Sequence, residues 1–288
     1  MVTQLNTNKN INVSSISNTC AFDMTGANVN LTLVGENRLR SGSNRAGLET
    51  PDGSTLVITG ASTGSLTATG GSSGAGIGGG SSGTGGTIDA IGGNAVIFAS
   101  SIQLDLPSGS NRGPAIIFIG NNGTMYGNVT LQQNVTFASG RILPISAGQS
   151  LTIPSGVTLT NNGTIIKKGI IIGTVTGNQP IDTIQLLNAN SWINGNILSS
   201  GGDQWFKFTA NASTQYIRVS FGALTNLYVQ LYDSNFNTVG SQANLYASTR
   251  YTSRTVTIGE EYYIRVWPYY SSGTYRIAFN GSVTAPEW

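Results

Sequence analysis

The 288-residue chain has no histidine. The side chain that most often serves as general base, proton shuttle and metal ligand is therefore missing. A Ser-His-Asp or Cys-His arrangement is excluded. Cys20 is the only cysteine, which excludes an intrachain disulfide and a thiolate zinc cluster. In NTCAFDMT it reads as a small apolar core residue. The carboxylates of the first 178 residues are Asp23, Glu36, Glu49, Asp52, Asp89 and Asp105. Polysaccharide lyases and glycoside hydrolases need such groups clustered, often with calcium or a basic residue beside them. Asp89 in TIDAI and Asp105 in QLDLP alternate with apolar neighbours, so each is expected to point outward as a solvated residue. Arg38, Arg40, Arg45, Arg112 and Arg141 are available as an arginine base. Later in the chain come Asp182, Asp203, Asp233, Glu260, Glu261 and Glu287, and none sits in a D-x-[DN]-x-[DN]-G loop. The expectation is a chain that is not an enzyme and has no cofactor.

The richer chemistry is aromatic. NGNILSSGGDQWFKFTA, QYIRVSF, LYVQLYD, RTVTIGEEYYIRVWP and GTYRIAFNG are strand candidates with strong alternation. Alternation points Leu227, Val229, Leu231, Tyr262, Ile264, Val266, Tyr275, Ile277, Phe279, Ile217, Val219 and Phe221 inward. One outward face then carries Tyr216, Arg218, Tyr228, Tyr232, Tyr263, Arg265, Trp267 and Arg276, with Tyr269 and Tyr270 in the adjoining loop. Aromatic rings with polar edges suit sugar rings and peptide backbones, and Tyr, Trp and Arg are enriched at binding hot spots. The candidate ligand-binding residues are Tyr228, Tyr263, Arg265, Trp267, Tyr269 and Arg276. The same rings and guanidinium groups could instead pair across strands, or pack against the rest of the chain or another subunit. Trp205 in DQWFKF is expected to be half exposed and structural.

Composition sets the elements that hold these residues. Only 9% of residues are charged, against about 25% in an average globular protein. The net charge of +2 gives no reason to expect nucleic acid or an anionic membrane as partner. No run of about 18 apolar residues exists, so no helical membrane insertion is expected. The opening MVTQLNTNKNINVSS has no apolar core flanked by basic residues, unlike a signal peptide. The chain is therefore expected to be either a mature form or a piece of a longer precursor, and the Met before an arbitrary polar start favours the second.

The two halves differ. Residues 1–178 hold 31 of the 39 glycines, and residues 179–288 hold all four tryptophans. VTGNQPIDT, with Gly177 and Pro180, marks a boundary between domains 1–178 and 179–288. The first half repeats short apolar alternations, among them VNLTLVG, STLVITG, GSLTATG, GTIDAIGG, NAVIFAS, SIQLDLPSG, GNVTLQQN, QSLTIPSG and GVTLTNNGTI. Each reads as a strand of about four residues. Small β-branched fillers and about 20 residues per coil fit a parallel β-helix. GGSSGAGIGGGSSGTGG, residues 70–86, lies between two of these strands. It lacks the lysine and helix start of a phosphate loop. It reads as an ordered corner loop with Ile77 as an inward plug, its glycines permitting positive φ and close backbone stacking.

GLETPDGSTLVITGASTGSLTATGGSSGAGIGGG and GGTIDAIGG resemble the glycine-rich repeats of bacterial surface proteins that form right-handed parallel β-helices. The resemblance covers roughly residues 28–175, with SLTIPSGVTLTNNGTI similar to the closing coils. It implies a fold, and some members are described as carbohydrate-binding. In the second half, GDQWFKFT, LYVQLYD, YYIRVW and SSGTYRIAF resemble bacterial pre-peptidase C-terminal domains, β-sandwiches of exported proteins. That resemblance, over residues 182–288, implies a non-catalytic accessory module, which in some members binds fibrous protein or polysaccharide. In some members it implies calcium near the position of Asp203. The dense acidic run that would accompany calcium is absent from GNILSSGGDQ.

These readings combine into an all-β chain, a right-handed parallel β-helix followed by an antiparallel β-sandwich. The expected role is secreted or cell-surface binding of polysaccharide or extracellular protein. The rival expectations are a polysaccharide-degrading enzyme with its site on the β-helix, and a purely structural spacer.

Overall fold

The computed structural model describes residues 2–5, 9–103, 112–181, 184–197, 203–246, 250–270 and 272–286. The protein is all-β, and its two compact units are Met1–Asp182 and Thr183–Trp288. Among the described residues no helix is long and apolar enough to cross a membrane.

The first unit is built from parallel coils. Strands Asn28–Leu33, Thr55–Ile58 and Thr87–Ile91 stack on one side, and Glu36–Arg40, Ser65–Thr69 and Ala95–Ala99 on the next. Phe22–Asp23, Leu48–Glu49 and Ile77–Gly78 form the third. In-register pairing lines up like residues along the axis. Val29 lies beside Leu56 and Leu56 beside Ile88, while Phe22, Leu48, Ile77 and Ile102 form another ladder. These ladders are the core, and each removes apolar surface from water at about 25 cal/mol per Å². Asn28 pairs with Thr55, and Thr55 with Thr87, so these coils are longer than the expected 20 residues. The coil near that length comes later, where Ile142 pairs with Thr164.

The coil series does not continue as one stack. Ala115–Ile119 and Asn122–Tyr126 pair antiparallel as a hairpin within an eight-stranded sheet. Beyond it the strands Ile142–Ile145 and Thr164–Lys167 run parallel to Asn122–Tyr126. Side-chain alternation shows what the hairpin accomplishes. Ala95, Ile97, Ala115 and Ile117 face a core with Leu31, Leu56 and Leu66. Val96, Phe98, Ile116 and Phe118 face another with Phe137, Leu143, Leu151 and Leu159. Strand direction and core side reverse together while the axial order is kept, so both stacks wind with one hand. The sheet between them is buried on both faces, which explains the continuous apolar runs NAVIFA and PAIIFI.

The glycine run is ordered architecture. Ile77 is 1% exposed. A Cβ on Gly71 would lie 1.9 Å from the Gly42 carbonyl oxygen, and one on Gly74 2.0 Å from that of Arg45. Close stacking of corner on corner therefore demands glycine here. Positive φ plays a smaller part than expected, since within the run only Gly78 among the glycines adopts it.

The second unit is a two-sheet sandwich. One sheet has the order Gln185–Leu186, Gln204–Thr209, Glu261–Pro268, Asn226–Tyr232, Thr238–Tyr246. The other has the order Ile193–Ile197, Gly273–Asn280, Thr214–Phe221, Tyr251–Thr255. Their facing sides share a core of Phe206, Phe208, Val229, Ile264, Ile217, Ile277 and Phe279, as aligned sandwiches do.

Candidate binding surface

The outward residues form two faces, on opposite sides of the sandwich. Tyr228, Tyr232, Tyr263, Arg265 and Trp267 belong to the five-stranded sheet, where Tyr228 pairs with Trp267 and Tyr232 with Tyr263. Tyr216, Arg218 and Arg276 belong to the four-stranded sheet, on strands Thr214–Phe221 and Gly273–Asn280. Arg276 is exposed there, so it cannot share a contact patch with Trp267. Alternation gives inward or outward but does not say which sheet a strand joins. Arg218 is buried and donates to the backbone carbonyls of Ser282 and Val283. It also lies over the rings of Tyr216 and Tyr251, which gives that face a structural task.

Half of the five-stranded outer face is closed. Tyr263 is 1% exposed, with Tyr232 and Trp205 also buried. The cover is Phe236, from the hairpin loop after Asn226–Tyr232. Its ring stacks on Tyr263 at 4.4 Å and 25°, and meets Trp205 edge-on at 5.9 Å. Trp205 in turn lies 5.2 Å from Tyr232. Asp233 builds this loop. Its Oδ1 accepts the backbone N–H groups of Asn235 and Asn237, and its Oδ2 accepts the Asn237 amide. Phe236 then takes the left-handed conformation with φ 62, uncommon for so bulky a residue. Tyr263 is therefore removed from the ligand-contacting set, and Trp205 is buried rather than half exposed. The Tyr263 hydroxyl donates to Glu261, whose other oxygen takes Lys207 at 2.8 Å. Burial, then this hydrogen bond and the Glu261 charge, push the Tyr263 phenol well above its ordinary value. Burial also raises Tyr232.

The other half is open. Arg265 lies over Trp267 at 4.9 Å and over Trp205 at 6.0 Å. Its Nε donates to Asp203 at 2.8 Å, and the same carboxylate oxygen accepts the Trp205 indole N–H. Asp203, the residue nearest the implied calcium position, is thus engaged by an arginine. Residues 198–202 beside it lie outside the described residues. Past Arg265 the rings run on without a gap. Trp267 is 5.5 Å from Tyr228, Tyr228 is 5.5 Å from Tyr269, and Tyr269 is 4.0 Å from Tyr270. Tyr228 and Trp267 are half-buried, Tyr269 is 42% exposed and Tyr270 is 77% exposed. A hydrogen bond with Tyr270 raises the Tyr269 phenol. Trp267 and Tyr228 are tilted by 33°, and Tyr269 meets Tyr228 and Tyr270 edge-on at 67° and 65°. The four rings thus form a stepped platform with a guanidinium at one end, with ring faces for stacking and phenol and indole edges for hydrogen bonds.

Among the described residues, the first unit's carboxylates do not converge in an open groove. Asp23 and Glu49 both contact Arg45, at 2.7 and 3.0 Å. Glu49 is buried and also accepts the Ala46 N–H at 3.0 Å. Glu36 pairs with Arg38 on its own strand, and Asp89 points to solvent as expected. Asp105, Asp182 and Glu287 lie outside the described residues. Cys20 is half-buried, and burial raises its thiol. No group of three His, Cys, Asp or Glu residues that could hold a metal occurs among the described residues.

No family model matches the chain, and no curated protein matches it. Among solved structures it is similar to the enzymatically active domain of tailspike protein 4 from bacteriophage CBA120, at 11% identity and TM-score 0.21. That likeness covers 96% of this chain and 53% of the other, so this chain spans about half its length. The chain is also similar to the pre-peptidase C-terminal domain of a collagenase from Bacillus anthracis. There the identity is 18% and the TM-score 0.30, over 36% of this chain and 100% of that domain.

Proposed function

We propose that the protein is a non-catalytic, extracellular binding protein. Its second unit contacts polysaccharide or fibrous protein through Tyr228, Trp267, Tyr269 and Tyr270, with Arg265 at the end of the platform. The observation that carries this reading is the unbroken ring series ending in a tyrosine that is 77% exposed. Rings needed only to cover a sheet have no reason to extend past it. Stacking on sugar or peptide uses their faces, and Arg265, held by Asp203, donates from a fixed position. The first unit serves as a rigid display element.

The test is the full chain on glycan and matrix-protein arrays, with Trp267→Ala and Arg276→Ala beside the wild type. Trp267→Ala should weaken a hit by about 30-fold, the loss of a hot spot of about 2 kcal/mol. Arg276→Ala, on the other face, should leave it unchanged. Silence of the wild type on all arrays, or a hit indifferent to Trp267→Ala, removes the platform from function.

The rival is a polysaccharide-degrading enzyme on the first unit. Its nearest counterpart is the pair Asp23 and Glu49 on Arg45. A retaining pair needs about 5 Å between carboxyls with both faces of a sugar between them. Here one guanidinium occupies the space between them, and a backbone N–H engages Glu49. Release of reducing or unsaturated ends from a panel of polysaccharides, lost in Asp23→Asn, would favour the rival.

A further inference from the structure

The shared sheet of the first unit emerges from beneath the second stack and leaves a step. One row of outer-face residues crosses it. Arg38 pairs with Thr67, Thr67 with Phe98, and Phe98 with Phe118. Phe118 and Phe98 belong to the second stack's core, while Thr67 and Arg38 lie progressively in the open. At the step a cleft of about 410 Å³ has Glu36, Arg38, Ser65 and Thr67 as its floor and Asn134, Thr136 and Ala138 as its wall. Its size falls within the range of small-molecule sites.

Arg141 also lines this cleft. Its guanidinium lies over Phe98 at 4.0 Å and over Phe118 at 5.2 Å. It is half-buried, and desolvation lowers its pKa. Its side chain makes no hydrogen bond or ion pair with another described residue. The other half-buried or buried arginines are all engaged. Arg45 has Asp23 and Glu49, Arg218 the Ser282 carbonyl, Arg254 the Ser253 carbonyl and Arg265 Asp203. A guanidinium carries five donors in a fixed fork. Holding a cation partly out of water without a partner is unfavourable, and two aromatic rings offset this only through their faces. The donors at its edge remain for a ligand.

We infer that this step cleft is a second binding site, for a saccharide bearing a single negative charge. Arg141 takes the oxyanion as a bidentate pair. The Thr67 and Thr136 hydroxyls and the Asn134 amide, at the cleft, meet ring hydroxyls. Arg38 is already neutralised by Glu36, so the cleft offers one uncompensated cation and suits a monoanion. A carboxylate on a hexuronate and a sulfate ester on a hexose share this chemistry. The site is independent of the aromatic platform and stands on different residues.

The test is calorimetric titration of the full chain with a glucuronate disaccharide, a mono-sulfated disaccharide and their neutral counterpart. At least one anionic probe should bind at least tenfold more tightly than the neutral one. Preference for the glucuronate probe assigns carboxylate as the source, and preference for the sulfated probe assigns sulfate. Arg141→Gln should abolish the discrimination. Because Arg141 rests on core rings, Thr67→Val serves as a second variant on an open part of the floor. It should weaken the preferred probe at least threefold with an unchanged Tm. Equal affinity for all three probes overturns the proposal, as does binding indifferent to both variants. Binding of the anionic probe lost in Trp267→Ala and kept in Arg141→Gln would place that ligand on the aromatic platform and also overturn it.

Discussion

Phe236 stacks face to face on Tyr263, their ring centroids 4.4 Å apart, and this one contact divides the outer face of the sandwich into a closed half and an open half. Phe236 is 3% exposed although it sits in a hairpin loop. Removing it uncovers Tyr263, Trp205 and Tyr232 together. Phe236→Ala should cost about 3 kcal/mol of stability, at the low end for a buried phenylalanine because water can enter the vacated space. Denaturant midpoints give the loss, and Trp205 emission should shift to the red. A variant as stable as the wild type would mean that the loop contributes nothing to the sheet.

Tyr263 should also make the fold sensitive to alkali. Its phenol is raised by burial first, and then by Glu261. Tyr275, whose hydroxyl donates to Gln204 at 2.8 Å, is raised by burial. A folded-state value above the unfolded one of about 10 keeps the full contribution below pH 10 and loses it as pH rises above that. The unfolded chain releases the proton that the folded chain retains. The slope is at most about 1.4 kcal/mol per pH unit for each such group. Urea midpoints at pH 9 and pH 11 should therefore diverge less in Tyr263→Phe than in the wild type. Parallel behaviour of the two proteins would mean that Tyr263 ionises as freely folded as unfolded.

Most of the architecture was legible because its causes are local. Alternation in VNLTLVG and STLVITG marks strands whose Val29, Leu31, Leu56 and Ile58 are core. Ile77 amid glycines had to be an inward plug, since nothing else there can fill a corner. The hairpin at residues 115–126 was hidden. AIIFIGNNGTMY contains the turn, but reversal of strand direction and change of core side are properties of the stack rather than of any short segment. The continuous apolar runs NAVIFA and PAIIFI were the available signal, since a strand buried on both faces loses alternation. At the candidate surface, the period of two placed Tyr228, Arg265 and Trp267 outward correctly. It could not place Arg276 on the other sheet, because sheet membership is set by long-range pairing. Phe236 was legible in principle. A lone aromatic in DSNFN, where Asp and Asn favour a turn, has a hydrophobic ring to bury and only the adjacent sheet to bury it on.

Two glycines separate close packing from mere flexibility. Gly71→Ala would place a methyl group 1.9 Å from the Gly42 carbonyl oxygen, and neither backbone can yield without opening the coil. The expected cost is about 3 kcal/mol, the upper range for overpacking. Gly60→Ala meets nothing within 4 Å, so its effect should stay within about 0.5 kcal/mol. Thermal denaturation of both variants decides this. Equal Tm values would show that the glycine run accommodates side chains and is not stacked.

Ile117 and Phe118 are chain neighbours that belong to different cores. Ile117 packs with Leu66 and Ile97 on one face of the shared sheet, and Phe118 packs with Phe137 on the other at 5.0 Å. A sheet that is the wall of both stacks cannot lose one core without exposing its other face's backbone pairing. The two stacks should therefore unfold together. Ile117→Ala should cost about 3 kcal/mol and Phe118→Ala about 4 kcal/mol, by cavity formation. Each should lower hydrogen-exchange protection in both Asn28–Leu33 and Leu159–Asn161, strands that lie in different stacks. If Ile117→Ala weakened protection only in the first stack and Phe118→Ala only in the second, the shared sheet would be a partition between two independently stable bodies. Loss of protection across both, with a single denaturation transition, establishes it as the element that makes them one.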